Sequence, residues 1–175
     1  TIDGLVKHNG KVLNQEKFKS ILGEKIFKNK INYLNSPSLE AQLASISDDI
    51  AYNSHDLEDG LRAKLYTIND LKNIPILSTV IDKHKKFIKL KGSELVSRQI
   101  IRGIVNEMVK DIISSTKKNI KKQKIKSVKD IYNSENPLVC FSKEMQLFDN
   151  SIKSFLRERM YLSKNVLKKT NNGKK

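Results

Sequence analysis

Residues 39–61 read LEAQLASISDDIAYNSHDLEDGL, and this stretch decides the fold. Each residue of an α-helix advances by about 100°, so Leu39, Leu43, Ile46, Ile50, Leu57 and Leu61 fall in one narrow band, a core stripe. On the opposite side the same rule aligns Ala41, Ser45, Asp48, Tyr52, His55, Asp56, Asp59 and Ala63. A solvated face in this chain is expected to carry lysines paired at four-residue spacing, since 29 of the 175 residues are lysine. It carries none: Lys30 is followed by no lysine until Lys64. Crowding Asp48, Asp49, Asp56, Glu58 and Asp59 into roughly three turns is unfavourable unless a cation or firm hydrogen-bond donors compensate. The acidic side is therefore expected to face a divalent metal or a polar ligand rather than water.

Outward from this helix the pattern stays helical. Ser36-Pro37-Ser38 reads as its start, with Ser36 at the N-cap and Pro37 in the first helical position, and its end is expected near Leu65. Phe18, Ile21, Leu22 and Ile26 predict a helix over 15–28, and Gly10 closes a helix before it. Thr67 to Asp70 opens a short helix or turn, and Ile74 to Phe87 reads as another helix with Pro75 in its first turn. Leu95, Ile101, Ile104, Val105, Met108, Ile112 and Ile113 mark a long helix from Ser93 to about Lys122. Its basic end, KKNIKKQKIK, reads as a solvated helix terminus. After a loop at 133–137, Ser142 is the expected N-cap of a last helix carrying Met145, Leu147, Phe148, Ile152, Phe155, Leu156 and Met160. Alternating β-branched runs are lacking, so the expected class is all-α.

Composition bounds the function. A net charge of +15 ordinarily points to nucleic acid or an anionic surface. Here lysine outnumbers arginine 29 to 5 and Asn and Ile abound, a bias that adenine- and thymine-rich coding DNA produces unaided. A non-catalytic basic helical module that binds nucleic acid or a partner subunit is the alternative reading. Cys140 stands alone, which excludes an internal disulfide and fits a reducing compartment, the cytoplasm by expectation. No run of about 18 apolar residues proposes a membrane span. His55-Asp56 spells the HD dipeptide, although neighbours on one helix diverge by about 100° and need not share a metal. His8 and His84 read as surface residues.

The central segment EAQLASISDDIAYNSHDLEDGL resembles the last conserved motif of the HD-domain deoxynucleoside triphosphate triphosphohydrolases, the dGTPase-like family. GLVKHNG, ELVSRQIIRGIVNEMVKD, VCFSKEM and FLRERMY resemble that family's carboxy-terminal half in the same order, so nearly the whole chain is covered. The resemblance implies a helical HD-domain-type bundle over residues 1–168, incomplete at both ends, with a disordered basic tail at 169–175. It implies that Asp48 is the final metal ligand and that Tyr52 and Asp56 line the deoxyribose end of a nucleotide pocket. Arg98 and Arg102 are candidates for triphosphate oxygens, or structural partners of Asp59 or Glu58. By the same resemblance the complete enzyme uses a divalent metal such as Mn or Mg and cleaves dNTPs such as dGTP to deoxynucleoside and triphosphate, while apolar stripes left uncovered favour assembly as a homo-oligomer.

The family's other metal ligands, a His and a His-Asp pair, lie upstream of the segment resembling GLVKHNG. Thr1 stands where an initiator methionine would, so the expectation is a piece of a larger domain, inactive alone and completed by an upstream hydrolase half. A relic of a decaying gene fits the same residues.

Overall fold

The computed structural model describes residues 2–7, 10–12, 16–23, 35–83 and 93–163. Among these, every regular element is helical: α1 (Ile2–Lys7), α2 (Glu16–Leu22), α3 (Leu39–Arg62), α4 (Ile68–Leu71), α5 (Leu77–Lys83), α6 (Ser93–Lys122), α7 (Val128–Tyr132) and α8 (Lys143–Leu156), the last continuing as a π-turn over Arg157–Tyr161. The chain is all-α. Parts of the expected helices over 15–28 and 74–87, and the tail at 169–175, lie outside the described residues. By Cα proximity the chain divides into two compact units, Thr1–Asp49 with Ile112–Cys140 and Ile50–Asp111 with Phe141–Lys175, and the boundaries fall inside α3 and α6.

Helix α3 starts two residues later than its sequence implied. Ser38, not Ser36, is the cap: its Oγ accepts the Ala41 N–H at 3.3 Å and its carbonyl accepts Gln42 N–H at 3.0 Å. Pro37 stands just outside. Glu40 in the first turn has its carboxyl held below the usual range by its own backbone N–H and by Ser38. Both long helices end alike. Lys64 N–H bonds Leu61 carbonyl and Leu65 N–H bonds Gly60 carbonyl, with Lys64 at φ 56°, a Schellman turn. Lys124, at φ 53°, repeats it after α6, its N–H bonding Lys121 carbonyl and the Ile125 N–H bonding Ile120 carbonyl. Lysine in this left-handed position is strained, because only glycine lacks the Cβ that crowds the carbonyl.

The first unit is fastened by side-chain amides. Buried Gln42 donates to Pro37 carbonyl at 2.9 Å, while its own oxygen accepts the N–H groups of Leu138 and Val139 at 2.8 and 3.1 Å. Asn119 donates to Leu138 carbonyl at 3.0 Å and to Cys140 Sγ at 3.3 Å. Lys7, 1% exposed, pairs with Asp3 at 2.8 Å and lies over the Tyr132 ring, so a buried ammonium is compensated twice.

The second unit holds the larger apolar core. Met145, Phe148, Ile152 and Leu156 of α8 recur at helical spacing and are buried, as are Leu71, Leu77, Ile81, Ile100 and Ile104. Ser142 caps α8 as expected, its Oγ accepting Met145 N–H at 3.2 Å while its own N–H goes to Asp111 at 2.8 Å. Leu147, on the same helix, is 68% exposed. On α3, Ile50 and Leu57 are buried with Asn53, Ser54 and Gly60, so the inward band is rotated from the one drawn through Leu39, Leu43 and Leu61. Polar Asn53 is inside because its Nδ2 donates to buried Asp149 at 3.2 Å, and Lys153 pairs with the same carboxylate at 2.8 Å.

Gly60 is required where it stands, since a Cβ there would meet the Tyr66 ring. Gly60→Ala is expected to lower stability by about 1–3 kcal/mol in urea denaturation, the cost of overpacking. Lys64→Gly, by contrast, is expected to raise it by about 0.5–1 kcal/mol through relief of the left-handed residue.

Candidate functional site

The side of α3 opposite its buried band is where the sequence placed its polar residues, and the structure resolves what meets them. Within the second unit Tyr52 lies at the surface, 61% exposed, and Asp56 is half-buried one turn on. Two tyrosines converge on Asp56. The Tyr161 hydroxyl donates a hydrogen bond to the Asp56 carboxylate, and Tyr52 lies close enough to act on the Tyr161 phenol electrostatically. The Tyr66 hydroxyl reaches the backbone carbonyls of Asp56 and Leu57, both at 3.2 Å, and its ring stands edge-on to Phe155 with centroids 4.8 Å apart. Asp56 and Tyr161 are thus bonded, with Tyr52 beside them.

Sequence reading assigned no role to Tyr161, although FLRERMY was among the segments singled out. The reason is geometric. In an α-helix a residue five positions on is turned by about 140°, which would carry Tyr161 away from the side of Leu156. Leu162 N–H instead bonds Arg157 carbonyl at 3.0 Å, an i→i+5 turn that widens the helix and returns Tyr161 toward that side.

The acidic crowding is relieved by arginines rather than lysines. Arg62 reaches Glu58 at 3.2 Å and Asp59 at 3.7 Å, and Arg98 Nε lies 3.4 Å from Glu58. Arg98 thus meets Glu58, one of the two acidic partners named for it. Arg102 is exposed on the same helix. Asp48, in the first unit's part of α3, is exposed, as is His55, which diverges from Asp56. Among the described residues no group of three or more His, Cys, Asp or Glu side chains could hold a metal ion. The donors present do not amount to a metal centre, since one solvated carboxylate supplies too few ligands. His8 and His84 lie outside the described residues. No described helix is long and apolar enough to cross a membrane.

The chain is similar to known proteins over its whole length. No family model matches the chain. Among curated proteins, a deoxyguanosinetriphosphate triphosphohydrolase-like protein of Pelagibacter ubique is 47% identical over 175 residues, covering 100% of this chain and 47% of the relative. The chain belongs with the deoxyguanosinetriphosphate triphosphohydrolase-like proteins. Relatives of that name from Bartonella tribocorum and Rickettsia typhi are 35% and 32% identical, over 99% and 95% of this chain and 44% and 43% of their own lengths. The chain spans about half the length of the curated relatives it matches.

Burial raises the Tyr161 phenol above the ordinary tyrosine range, and its bond to Asp56 and the nearby Tyr52 add to the shift. Burial does the same for Tyr66, with the Asp56 and Asp59 charges adding. Both protons are held more firmly in the folded chain, so unfolding releases them once the pH exceeds about 10, the unperturbed value. Stability from these groups is complete below that pH and is lost as pH rises through the folded values. In urea melts across pH 9–12, Tyr161→Phe is expected to make the alkaline fall in stability shallower than in the parent chain.

Proposed function

We propose that this chain forms one wall of the nucleotide site of a dGTPase-like deoxynucleoside triphosphate triphosphohydrolase, whose complete form converts dNTP and water to deoxynucleoside and triphosphate. The observation that carries the reading is the Tyr52, Asp56 and Tyr161 cluster, in a chain similar over its whole length to proteins of that name. A carboxylate with one oxygen engaged by a phenol keeps acceptor capacity for a sugar hydroxyl. Tyr52, exposed beside it, offers a hydroxyl and a flat ring. Asp56 and Tyr52 therefore bind and orient the deoxyribose through its 3′-OH, two turns and one turn along α3 from Asp48. Bonding the sugar rather than the base leaves the base free to vary, as expected for a dNTP substrate class.

Asp48 is the residue we assign to the divalent metal of the complete enzyme. The metal's chemistry there is polarisation of a phosphoryl oxygen and activation of water. By the resemblance its other ligands are a His and a His-Asp pair that precede the segment resembling GLVKHNG. An upstream hydrolase half is the partner this reading calls for, and assembly as a homo-oligomer accompanies it.

The test is a chimera. Substituting this chain for the matching half of the Pelagibacter ubique relative and assaying triphosphate release from dGTP with Mn²⁺ is expected to give activity, if that relative is active in the same assay. In the chimera Asp48→Ala is expected to lower kcat by at least about 100-fold, and Asp56→Asn mainly to raise KM. The isolated chain is expected to be silent. Release by the isolated chain, abolished in Asp48→Ala, would show that the metal ligands have been wrongly assigned.

A further inference from the structure

The carboxylate of Asp70, in the four-residue helix α4, acts in two directions. Its Oδ2 accepts both the backbone N–H and the hydroxyl of Thr67, at 2.7 Å each. Its Oδ1 accepts Arg159 Nη2 at 3.0 Å. Thr67 directly follows Tyr66, whose hydroxyl is bonded to the Asp56 carbonyl. Arg159 lies in the π-turn two residues before Tyr161, whose hydroxyl is bonded to the Asp56 side chain. The contacts close a ring: Asp56, Tyr66, Thr67, Asp70, Arg159, Tyr161 and back to Asp56.

This ring does not read as a device for global stability. The Arg159 and Asp70 side chains are 48% and 36% exposed, and solvent screening leaves an ion pair at that depth only a small contribution. That amount is small for a domain and large for a choice of helical register. Carrying α8 on as a regular helix past Leu156 and widening it into an i→i+5 turn are alternatives for the same few residues, and a π-turn is the rarer of the two. Only the widened turn brings Tyr161 to Asp56. The Asp70 carboxyl is held below the usual range by the Thr67 hydroxyl and N–H, with Arg159 adding, so it remains an anion throughout the neutral range.

We propose that the Arg159–Asp70 pair is a positioning device for the sugar-facing cluster: it holds the π-turn in the register that sets Tyr161 against Asp56 and Tyr52. Its consequence for substrate rests on the reading of Asp56 and Tyr52 as deoxyribose contacts. Arg159 and Asp70 touch no substrate. They act through Tyr161, which fixes the rotamer of the Asp56 carboxylate and thereby the direction in which its remaining acceptor points.

The experiment uses the full 175-residue chain with ring-¹³C-labelled tyrosine, following the Tyr161 Cζ resonance through an alkaline titration and assigning it with Tyr161→Phe. In the parent chain Tyr161 is expected to titrate above the ordinary range. Arg159→Met is expected to bring it down by about one pH unit or more, as the phenol leaves Asp56. Loss of a nearby cation would by itself move the phenol the other way, so a fall identifies a lost contact. Arg159→Lys is expected to restore part of the shift, and the double exchange of Asp70→Arg with Arg159→Asp to restore it where either single change does not. Tyr161 titrating as in the parent chain in a folded Arg159→Met would overturn the proposal and leave a surface ion pair only. Triphosphate release plays no part in this readout, so failure of the dNTP reading would leave it intact.

Discussion

The second unit depends on one constraint: α3 must bury Ile50, Asn53, Leu57 and Gly60 while leaving Tyr52 exposed and Asp56 half-buried at the edge of the buried band. Two contacts set that rotation. Asn53 is drawn inward by the Asp149 carboxylate, a bond whose loss would leave a buried polar group unpaired. Gly60 admits the Tyr66 ring so closely that no side chain fits between them. With the helix so turned, the Tyr66 hydroxyl lands on the Asp56 carbonyl and the polar face follows from geometry alone. The same buried contacts that stabilise the unit therefore aim the groups we assign to the nucleotide.

Asp56 is the point at which stability and function meet. A half-buried carboxylate among other acids needs donors, and here the donor is Tyr161, delivered by a local departure from α-helical geometry. Such departures carry a conformational cost and recur where a side chain must be re-aimed. The Asp70 carboxylate offsets that cost by linking the turn to the segment after α3. The arginines on Glu58 and Asp59 complete the compensation in this part of α3.

Much of the fold was legible because long amphipathic helices announce themselves. The span of α6, Ser93 to Lys122, the Ser142 cap and the short helix after Thr67 were all readable from apolar spacing and cap chemistry. The start of α3 was misread by two residues because Ser36 and Ser38 are equally good caps in isolation. Ser36 is claimed by tertiary contacts, its hydroxyl donating to the Ser134 carbonyl at 2.6 Å and its N–H to Tyr132 at 2.9 Å. Leu43, drawn into the core stripe, is 49% exposed because periodicity fixes a stripe only to within a residue or so of its edge. Of the site, the Tyr52 and Asp56 side of α3 could be read from spacing. Tyr161 could not, since its approach needs a turn that no residue pattern specifies and a partner about a hundred positions away in sequence.

The central claim is that this wall reads a deoxyribose hydroxyl. The most direct measurement is an NMR titration of the isotopically labelled chain with 2′-deoxyguanosine and, separately, with 2′,3′-dideoxyguanosine, each to millimolar excess. The account expects resonances of Tyr52, Asp56 and Tyr161 to move with the first compound and to stay in place with the second, which lacks the 3′-OH. Equal shifts with both compounds, or shifts confined to residues away from α3 and the π-turn, would contradict it.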